Sequence, residues 1–109
     1  MIIELIGIFA PHEKRQELGD ALVSLLGPIQ VQPGCISCRL FHSLPKQDGL
    51  QIEARWADRE TLIGHLQSDI YKKLLLLMEL SATPPALEFF TVTEVRGLDL
   101  VEVARAPAD

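Results

Sequence analysis

The chain contains few cysteines, histidines and aromatic residues, and it has no long hydrophobic run. Its 109 residues include two cysteines, three histidines, one tryptophan and one tyrosine. The longest uninterrupted apolar stretches, residues 5–10 and 74–78, fall far short of the ~20 residues that a helix needs to cross a bilayer. We therefore expect no membrane-spanning segment.

Positive charge is also scarce. Ten Lys and Arg against fifteen Asp and Glu give a formal net charge of -5, and the largest basic clusters are the pairs Lys14-Arg15 and Lys72-Lys73. A nucleic-acid partner requires a basic surface, so we expect none. The N-terminus lacks the basic start, apolar core and cleavage site of a secretory signal, and Glu4 interrupts its first apolar run. These absences predict a cytoplasmic protein.

The two cysteines form a Cys35-x-x-Cys38 motif, a spacing typical of redox pairs or of half a zinc site. The residues after Pro33-Gly34 favour an extended strand, which would separate the two Cα atoms by about 10 Å. That distance is too long for a disulfide. The histidines are widely scattered and show no metal-ligand spacing. We therefore expect structural cysteines and no metal site.

The order of the sequence patterns predicts strands alternating with helices. The predicted strands are residues 1–10, 35–43, 50–56, 86–95 and 98–104. The predicted helices are residues 12–26, ended by Gly27-Pro28, a segment through Leu66 capped by Asp58, and a segment through Met78 capped by Ser68 or Asp69. A polar turn at residues 45–49 is expected to join the second and third strands into a hairpin.

This order is the split βαβ pattern of an α+β, ferredoxin-like sandwich with an antiparallel sheet and one extra strand. We expect a single domain over residues 1–109, with a core at about 2–104. Two helices cover only one sheet face, and Phe41, Phe90 and Val92 indicate that the other face is partly apolar. Dimerisation through the sheets would cover it. Glu53 and Arg55 share the polar face of the third strand, and we expect them to pair.

Four segments resemble the antibiotic biosynthesis monooxygenase (ABM) family. They are the turn PGCIS at 33–37, the strand end EARWAD at 53–58, the helical segment LIGHLQS at 62–68, and a late strand with Phe89-Phe90 that ends near Gly97-Leu98. They occur in the family's order and at about its spacing, over roughly residues 2–104. The resemblance implies a homodimer in which two ferredoxin-like subunits form a dimeric α+β barrel, often with the C-terminal strand reaching across to the partner.

The resemblance also implies an activity. Members of known chemistry oxidise aromatic polyketides or quinols with molecular oxygen and without flavin or metal, while relatives degrade haem or isomerise small metabolites. Haem-degrading relatives carry an axial histidine in the segment corresponding to residues 70–80 and an asparagine in strand one, and this chain has neither. We therefore expect a cofactor-independent monooxygenase with a small aromatic substrate. The alternatives are an isomerase that works by proton transfer and a non-catalytic ligand-binding dimer.

Two residues are the candidate catalytic groups. His65 lies seven residues beyond Asp58 on its helix, and a neutral imidazole is well suited to proton transfer near pH 7. Trp56 ends the apolar face of its strand, where an indole can stack on a flat substrate and offer one N–H. Both have a structural alternative, because a half-buried histidine and a core tryptophan are common packing residues.

Five further residues are candidate substrate contacts: Ile52, Leu62, Leu66, Tyr71 and His42. Leu62 and Leu66 share the apolar side of the helix with His65. Tyr71 offers a hydroxyl, although its spacing also fits an ordinary core position. His42 has the strand parity of Ile36, Cys38 and Leu40. Ile52 stands four residues before the tryptophan, where some polyketide-oxidising members of the family have an asparagine.

Overall fold

A computed structural model describes residues 1–43 and 49–108. Its elements are β1 (Ile2–Phe9), a short 3-10 turn (His12–Lys14), α1 (Arg15–Gln30), β2 (Cys35–His42), β3 (Gly49–Trp56), α2 (Arg59–Leu66), α3 (Asp69–Met78), β4 (Ala86–Thr91) and α4 (Leu98–Ala104). Residues 45–48 of the predicted hairpin turn lie outside the described residues. Within the described ranges, no helix combines the length and the apolar character needed to cross a membrane.

The four strands form one antiparallel sheet in the order β2-β3-β1-β4, which confirms the predicted α+β, ferredoxin-like fold. In the central pair, Ile2 lies opposite Trp56 and Glu4 lies opposite Ala54. Alternate residues of β1 therefore point to one face, and these are the ones that are buried. Helix α1 packs on β2 and α3, and α2 packs on β3, so the helices cover this face.

The two faces of the sheet differ in composition. The covered face contributes Ile6, Ile52 and Trp56, none more than 2% exposed, to a core completed by apolar residues of α1 and α3. The open face carries the predicted pair Glu53–Arg55, with the Arg55 Nε 3.1 Å from a Glu53 carboxylate oxygen. The same face also carries Phe90, which lies across β1 from Arg55, opposite Ile3, and is 43% exposed. The open face is therefore partly apolar, as predicted.

Helix α1 extends beyond its predicted end at Leu26 to Gln30 and contains Pro28 in its last turn. A proline inside a helix removes one backbone hydrogen bond. Here the extra turn buries Ile29, which is 1% exposed, against the core. This apolar burial offsets the lost bond.

The region after residue 91 differs most from prediction. Strand β4 ends at Thr91 rather than at residue 95, because its partner β1 begins at Ile2, which lies opposite Thr91. Residues 98–104, predicted as a strand, form helix α4. No neighbouring strand is present to pair with this segment in the described structure, and a helix satisfies its own backbone groups. Asp99 favours the helix start by accepting the Gly97 N–H at 2.9 Å, a bond that lowers the pKa of its carboxyl.

A β-bulge in β2 changes which of its side chains face the core. The register with β3 shifts between Cys35 and Ser37, which leaves Ile36 57% exposed. Cys35 and Cys38 consequently lie opposite Trp56 and Ala54, on the covered face. The prediction that Ile36 shares the apolar side with Cys38 was therefore wrong, because a bulge adds one residue to the strand.

Candidate functional site

Two ionisable side chains are buried together between β1 and α2. Glu4 is 0% and His65 is 2% exposed, and the Glu4 Oε1 lies 3.2 Å from the His65 Nε2. The same Glu4 oxygen accepts the Trp56 Nε1–H at 3.2 Å. Within the described part of the chain, neither the other oxygen, Oε2, nor the His65 Nε2 has a hydrogen-bond partner, so the 3.2 Å approach of Glu4 to His65 is an ion-pair contact and not a hydrogen bond. A buried carboxyl beside an imidazole is the combination from which proton-transfer sites are built.

Strand register and a helix cap bring these groups together. Glu4 has an inward position on β1, next to the strand that ends at Trp56. After that strand, Asp58 accepts the Thr61 N–H at 2.8 Å and starts α2. This hydrogen bond lowers the pKa of the Asp58 carboxyl. His65 then falls on the second turn of α2 and points inward.

The His65 ring is enclosed by aromatic groups. It stacks on Trp56 with ring centroids 4.3 Å apart and planes inclined by 25°. Tyr71 meets it edge-on at 5.1 Å. Burial, reinforced by the charge of Glu4, raises the pKa of the Tyr71 phenol, which keeps it protonated at neutral pH. The imidazole is therefore held in a water-poor site of fixed geometry.

The Gln32 side chain contacts the second nitrogen, Nδ1, of the His65 ring. Its side-chain amide oxygen lies 2.6 Å from the His65 Nδ1. Gln32 follows α1 and leads into a turn in which Gly34 has a φ of +77°, a backbone conformation that suits glycine. The Gly34 carbonyl accepts the Ala57 N–H at 2.8 Å, which fixes this turn to the start of the α2 region. Both ring nitrogens of His65 thus face a protein group.

Two surface clefts lie on either side of α2. The turn cleft has a volume of about 350 Å³ and is lined by Gln32, Pro33, Glu60, Thr61, Gly64 and His65. The strand cleft has a volume of about 230 Å³ and is lined by Ile2, Arg59, Leu62, Ile63, Leu66, Phe89 and Thr91. His65 contributes to the turn cleft only. Access to the ring from solvent is therefore on the Gln32 side.

The structure brings some of the predicted site residues together and separates others. Trp56, His65 and Tyr71 form one buried cluster. Leu62 and Leu66 line the strand cleft instead. Their roles remain predictions.

The other two predicted contacts lie away from this cluster. Ile52, 2% exposed, is part of the packed core of the sheet. His42 is exposed and lies opposite Leu50, six residues along β3 from Trp56, a separation of about 20 Å. Their roles as substrate contacts also remain predictions.

Sequence reasoning missed Glu4 and Gln32. Glu4 did carry a signal, because it occupies an inward position in an otherwise apolar strand, and buried carboxylates are rare without a partner. Gln32 carried none, since its contact with His65 joins residues 33 positions apart across a turn.

The cysteines are free, as expected from their spacing, with Cys38 buried and Cys35 half-buried. Burial, reinforced by Cys35 and Glu4, raises the pKa of the Cys38 thiol to about 12. Within residues 1–43 and 49–108, no three histidine, cysteine or acidic side chains come close enough to hold a metal ion.

Comparison with known structures supports the architecture described above. A candidate antibiotic biosynthesis monooxygenase from Deinococcus radiodurans is 18% identical with a TM-score of 0.80, covering 89% of this chain and 97% of its own. A similarly named protein from Caulobacter crescentus is 19% identical with a TM-score of 0.75, covering 85% and 90%. A protein from Mycobacterium tuberculosis is 22% identical with a TM-score of 0.74, covering 89% and 100%. At these identities the likeness establishes the fold.

Sequence comparison establishes the family. No curated protein matches the chain. The sequence model of the family described as antibiotic biosynthesis monooxygenase matches residues 1–75, which include β1 to β3, α2 and the Glu4, Trp56 and His65 cluster. The chain therefore belongs to the antibiotic biosynthesis monooxygenase family.

Proposed function

We propose that this protein is a cofactor-independent monooxygenase that oxidises a small aromatic quinol or a polyketide-type phenol with molecular oxygen. One observation carries the proposal: His65 is held between Glu4 and Gln32 and stacked on Trp56, in a site almost without solvent. Family membership supports the same reaction class.

The reaction needs a proton acceptor more than it needs a redox group. In the oxidation of a quinol to a hydroxyquinone, one atom of O₂ enters the ring, the other leaves as water, and the substrate supplies all four electrons. Deprotonation of a phenolic hydroxyl makes the ring electron-rich enough to react with O₂. His65 is the group suited to accept that proton.

Trp56 has a narrower role in this proposal than the sequence indicated. Its Nε1–H is already donated to Glu4, so it is not free to bond a phenolate. Its contribution is to support the imidazole by stacking and to exclude water around it.

We also propose that the active form is a homodimer joined through the open sheet face. Ile3, Leu5 and Phe90 form an apolar strip on that face. The radius of gyration is 16.6 Å, against about 13 Å for a compact chain of this length. The excess fits a subunit whose α4, with exposed Leu98 and Val103, extends toward a partner.

The test is oxygen uptake by metal-stripped protein with a panel of quinols and anthrone-like phenols, using ¹⁸O₂ to follow the inserted atom. We expect uptake that persists with chelator, transfers one labelled atom to product, and is lost in His65→Gln. The matched control is His12→Gln, an exposed histidine outside the site, which should retain full activity.

Two outcomes would contradict the proposal. Folded protein that consumes no oxygen with any substrate of the panel excludes this oxygenase activity. Turnover, or deuterium exchange into substrate, that proceeds anaerobically and requires His65 would instead identify a proton-transfer isomerase.

A further inference from the structure

A protein group lies close to each nitrogen of His65. Nε2 lies 3.2 Å from the Glu4 Oε1, and Nδ1 lies 2.6 Å from the Gln32 amide. A substrate hydroxyl must therefore displace one of these two groups before it can transfer a proton to the ring.

Glu4 is the group that stays. It lies on the central strand β1 with 0% exposure, and its Oε1 also accepts the Trp56 indole N–H. Displacing Glu4 from His65 would leave its carboxyl without a charged partner in the core and break the hydrogen bond to Trp56, and both changes cost free energy.

Gln32 is the group that can leave. It lies beyond the end of α1, and it lines the turn cleft together with Pro33 and Gly64. An amide that leaves the ring can hydrogen-bond to water in that cleft, so its displacement leaves no buried polar group unpaired.

Resting on the proposed function, we propose that the substrate binds in the turn cleft and that its phenolic hydroxyl replaces Gln32 at the His65 Nδ1, while Glu4 acts as the positioning residue behind Nε2. Because the Gln32 amide oxygen accepts, Nδ1 carries a proton while Gln32 is in place, and this proton passes to water of the turn cleft when Gln32 leaves. The substrate O–H bond then breaks and its proton forms the new Nδ1–H bond. The proton already on Nε2 remains there, and the resulting imidazolium is paired with the Glu4 carboxylate. The electron pair stays on the substrate oxygen as a phenolate. This is the arrangement of a histidine base oriented by a buried acid.

The lining of the turn cleft specifies the substrate further. Its volume of about 350 Å³ is at the small end of ligand-binding pockets. The charged side chain among its described lining residues is Glu60, a carboxylate. We therefore expect a neutral one-ring or two-ring phenol, and discrimination against substrates that carry a carboxylate.

Gly64 allows the cleft to be tested without disturbing the fold. A Cβ added at Gly64 meets no atom within 4 Å, so Gly64→Leu should fold with its new side chain at the turn cleft, which Gly64 lines. Gly19→Leu is the matched control, because Gly19 lies on α1 and also has nothing within 4 Å of an added Cβ. Thr91→Phe places a large side chain at the strand cleft, which Thr91 lines.

We expect Gly64→Leu to lower kcat/KM for oxygen uptake by ~100-fold, the scale of a lost acid–base contact. Gly19→Leu and Thr91→Phe should stay within about twofold of wild type. Wild-type kinetics in folded Gly64→Leu, or a loss in Thr91→Phe instead, would overturn the assignment of the cleft.

A binding measurement separates this inference from the proposed function. Under nitrogen, 1,4-naphthalenediol titrated into ¹⁵N-histidine-labelled protein should shift the His65 Nδ1 resonance in wild type but not in Gly64→Leu. A shift of the Nδ1 resonance without oxygen uptake would reject the proposed oxygenase activity but support binding in the turn cleft. Oxygen uptake without any shift of the Nδ1 resonance would support the oxygenase activity but reject binding in the turn cleft.

The positioning role of Glu4 has its own readout. Glu4→Gln preserves shape and removes the charge that stabilises the imidazolium. We expect kcat to fall by ~100-fold with KM within about twofold, together with a changed ¹⁵N shift at Nε2. Folded Glu4→Gln with wild-type kcat and an unchanged Nε2 resonance would show that the carboxyl has no such role.

Discussion

The Glu4 Oε1 lies 3.2 Å from the His65 Nε2, and only 1% of each of these two side chains is exposed. The contact joins the first strand of the sheet to the helix that follows the third. It links two groups that would each be costly to bury alone, and it orients the ring that we assign as the proton acceptor.

We predict that the two members of this pair are strongly coupled in stability. His65→Phe leaves the Glu4 carboxyl buried with only the Trp56 indole N–H as its partner and should lower the free energy of unfolding by about 3–5 kcal/mol. The double variant Glu4→Leu/His65→Phe should recover part of that loss, because both ionisable groups are gone and only the Trp56 indole N–H loses its acceptor. Urea unfolding of the wild type, the single variants Glu4→Leu and His65→Phe, and the double variant measures the coupling. Additive effects, within about 0.5 kcal/mol, would show that the pair is energetically unimportant.

Two glycines near the candidate site should respond oppositely to alanine. An added Cβ at Gly34 would overlap the Thr61 side chain, and the φ of +77° costs an alanine about 1–2 kcal/mol by itself. Gly34→Ala should therefore destabilise the protein. Gly64→Ala has open space and a helical backbone, so it should stabilise by about 0.5–1 kcal/mol. Thermal unfolding of both variants checks the two signs, and equal shifts would contradict the turn geometry.

The buried Cys38 should contribute an alkaline dependence of stability. Its pKa is raised from 9.0 to about 12, so the folded chain keeps the thiol neutral where the unfolded chain ionises. The stabilisation is fully present below pH 9.0 and is lost as the pH rises toward about 12. Urea midpoints measured across this range should fall less steeply in Cys38→Ala than in wild type. The ionisation of Tyr71 contributes equally to the pH dependence of both proteins, so its contribution cancels in the comparison.

The reactivity of the cysteines should follow the same burial. At neutral pH, iodoacetamide should modify the half-buried Cys35 before Cys38, and Cys38 should react only after unfolding. Mass spectrometry of peptides after a timed exposure gives the order. Rapid labelling of Cys38 in the folded protein would contradict its placement on the covered face.

The open sheet face should control assembly. Phe90→Lys introduces a charge into the apolar strip and should shift the protein from dimer to monomer in sedimentation velocity. Val31→Lys is the matched control, because Val31 is 82% exposed and lies in the turn after α1. A wild-type protein that sediments as a monomer at all concentrations would reject the dimer.

Local patterns in the sequence were sufficient for most of the fold. The alternation of β3 and the caps at Asp58 and Ser68 are confirmed by the strand and helices found there. Each is a signal read within a few residues, so no knowledge of distant neighbours was required. Residues 98–104 were predicted wrongly because their alternating pattern favours a strand, while the choice between strand and helix depends on whether a neighbouring strand is present.

The sequence by itself determined that Trp56 lies at the end of the apolar face of β3 and that His65 lies on the apolar side of the following helix, because periodicity and capping are local signals. Only the tertiary structure decided what surrounds them. The Glu4 contact with Trp56 spans 52 residues and the Gln32 contact with His65 spans 33, and both depend on strand register and on a turn closed by Gly34. Register and turn packing arise from the simultaneous burial of many side chains. No short segment of the chain contains that information, so the partners of the candidate base appeared only when the strands and α2 were assembled.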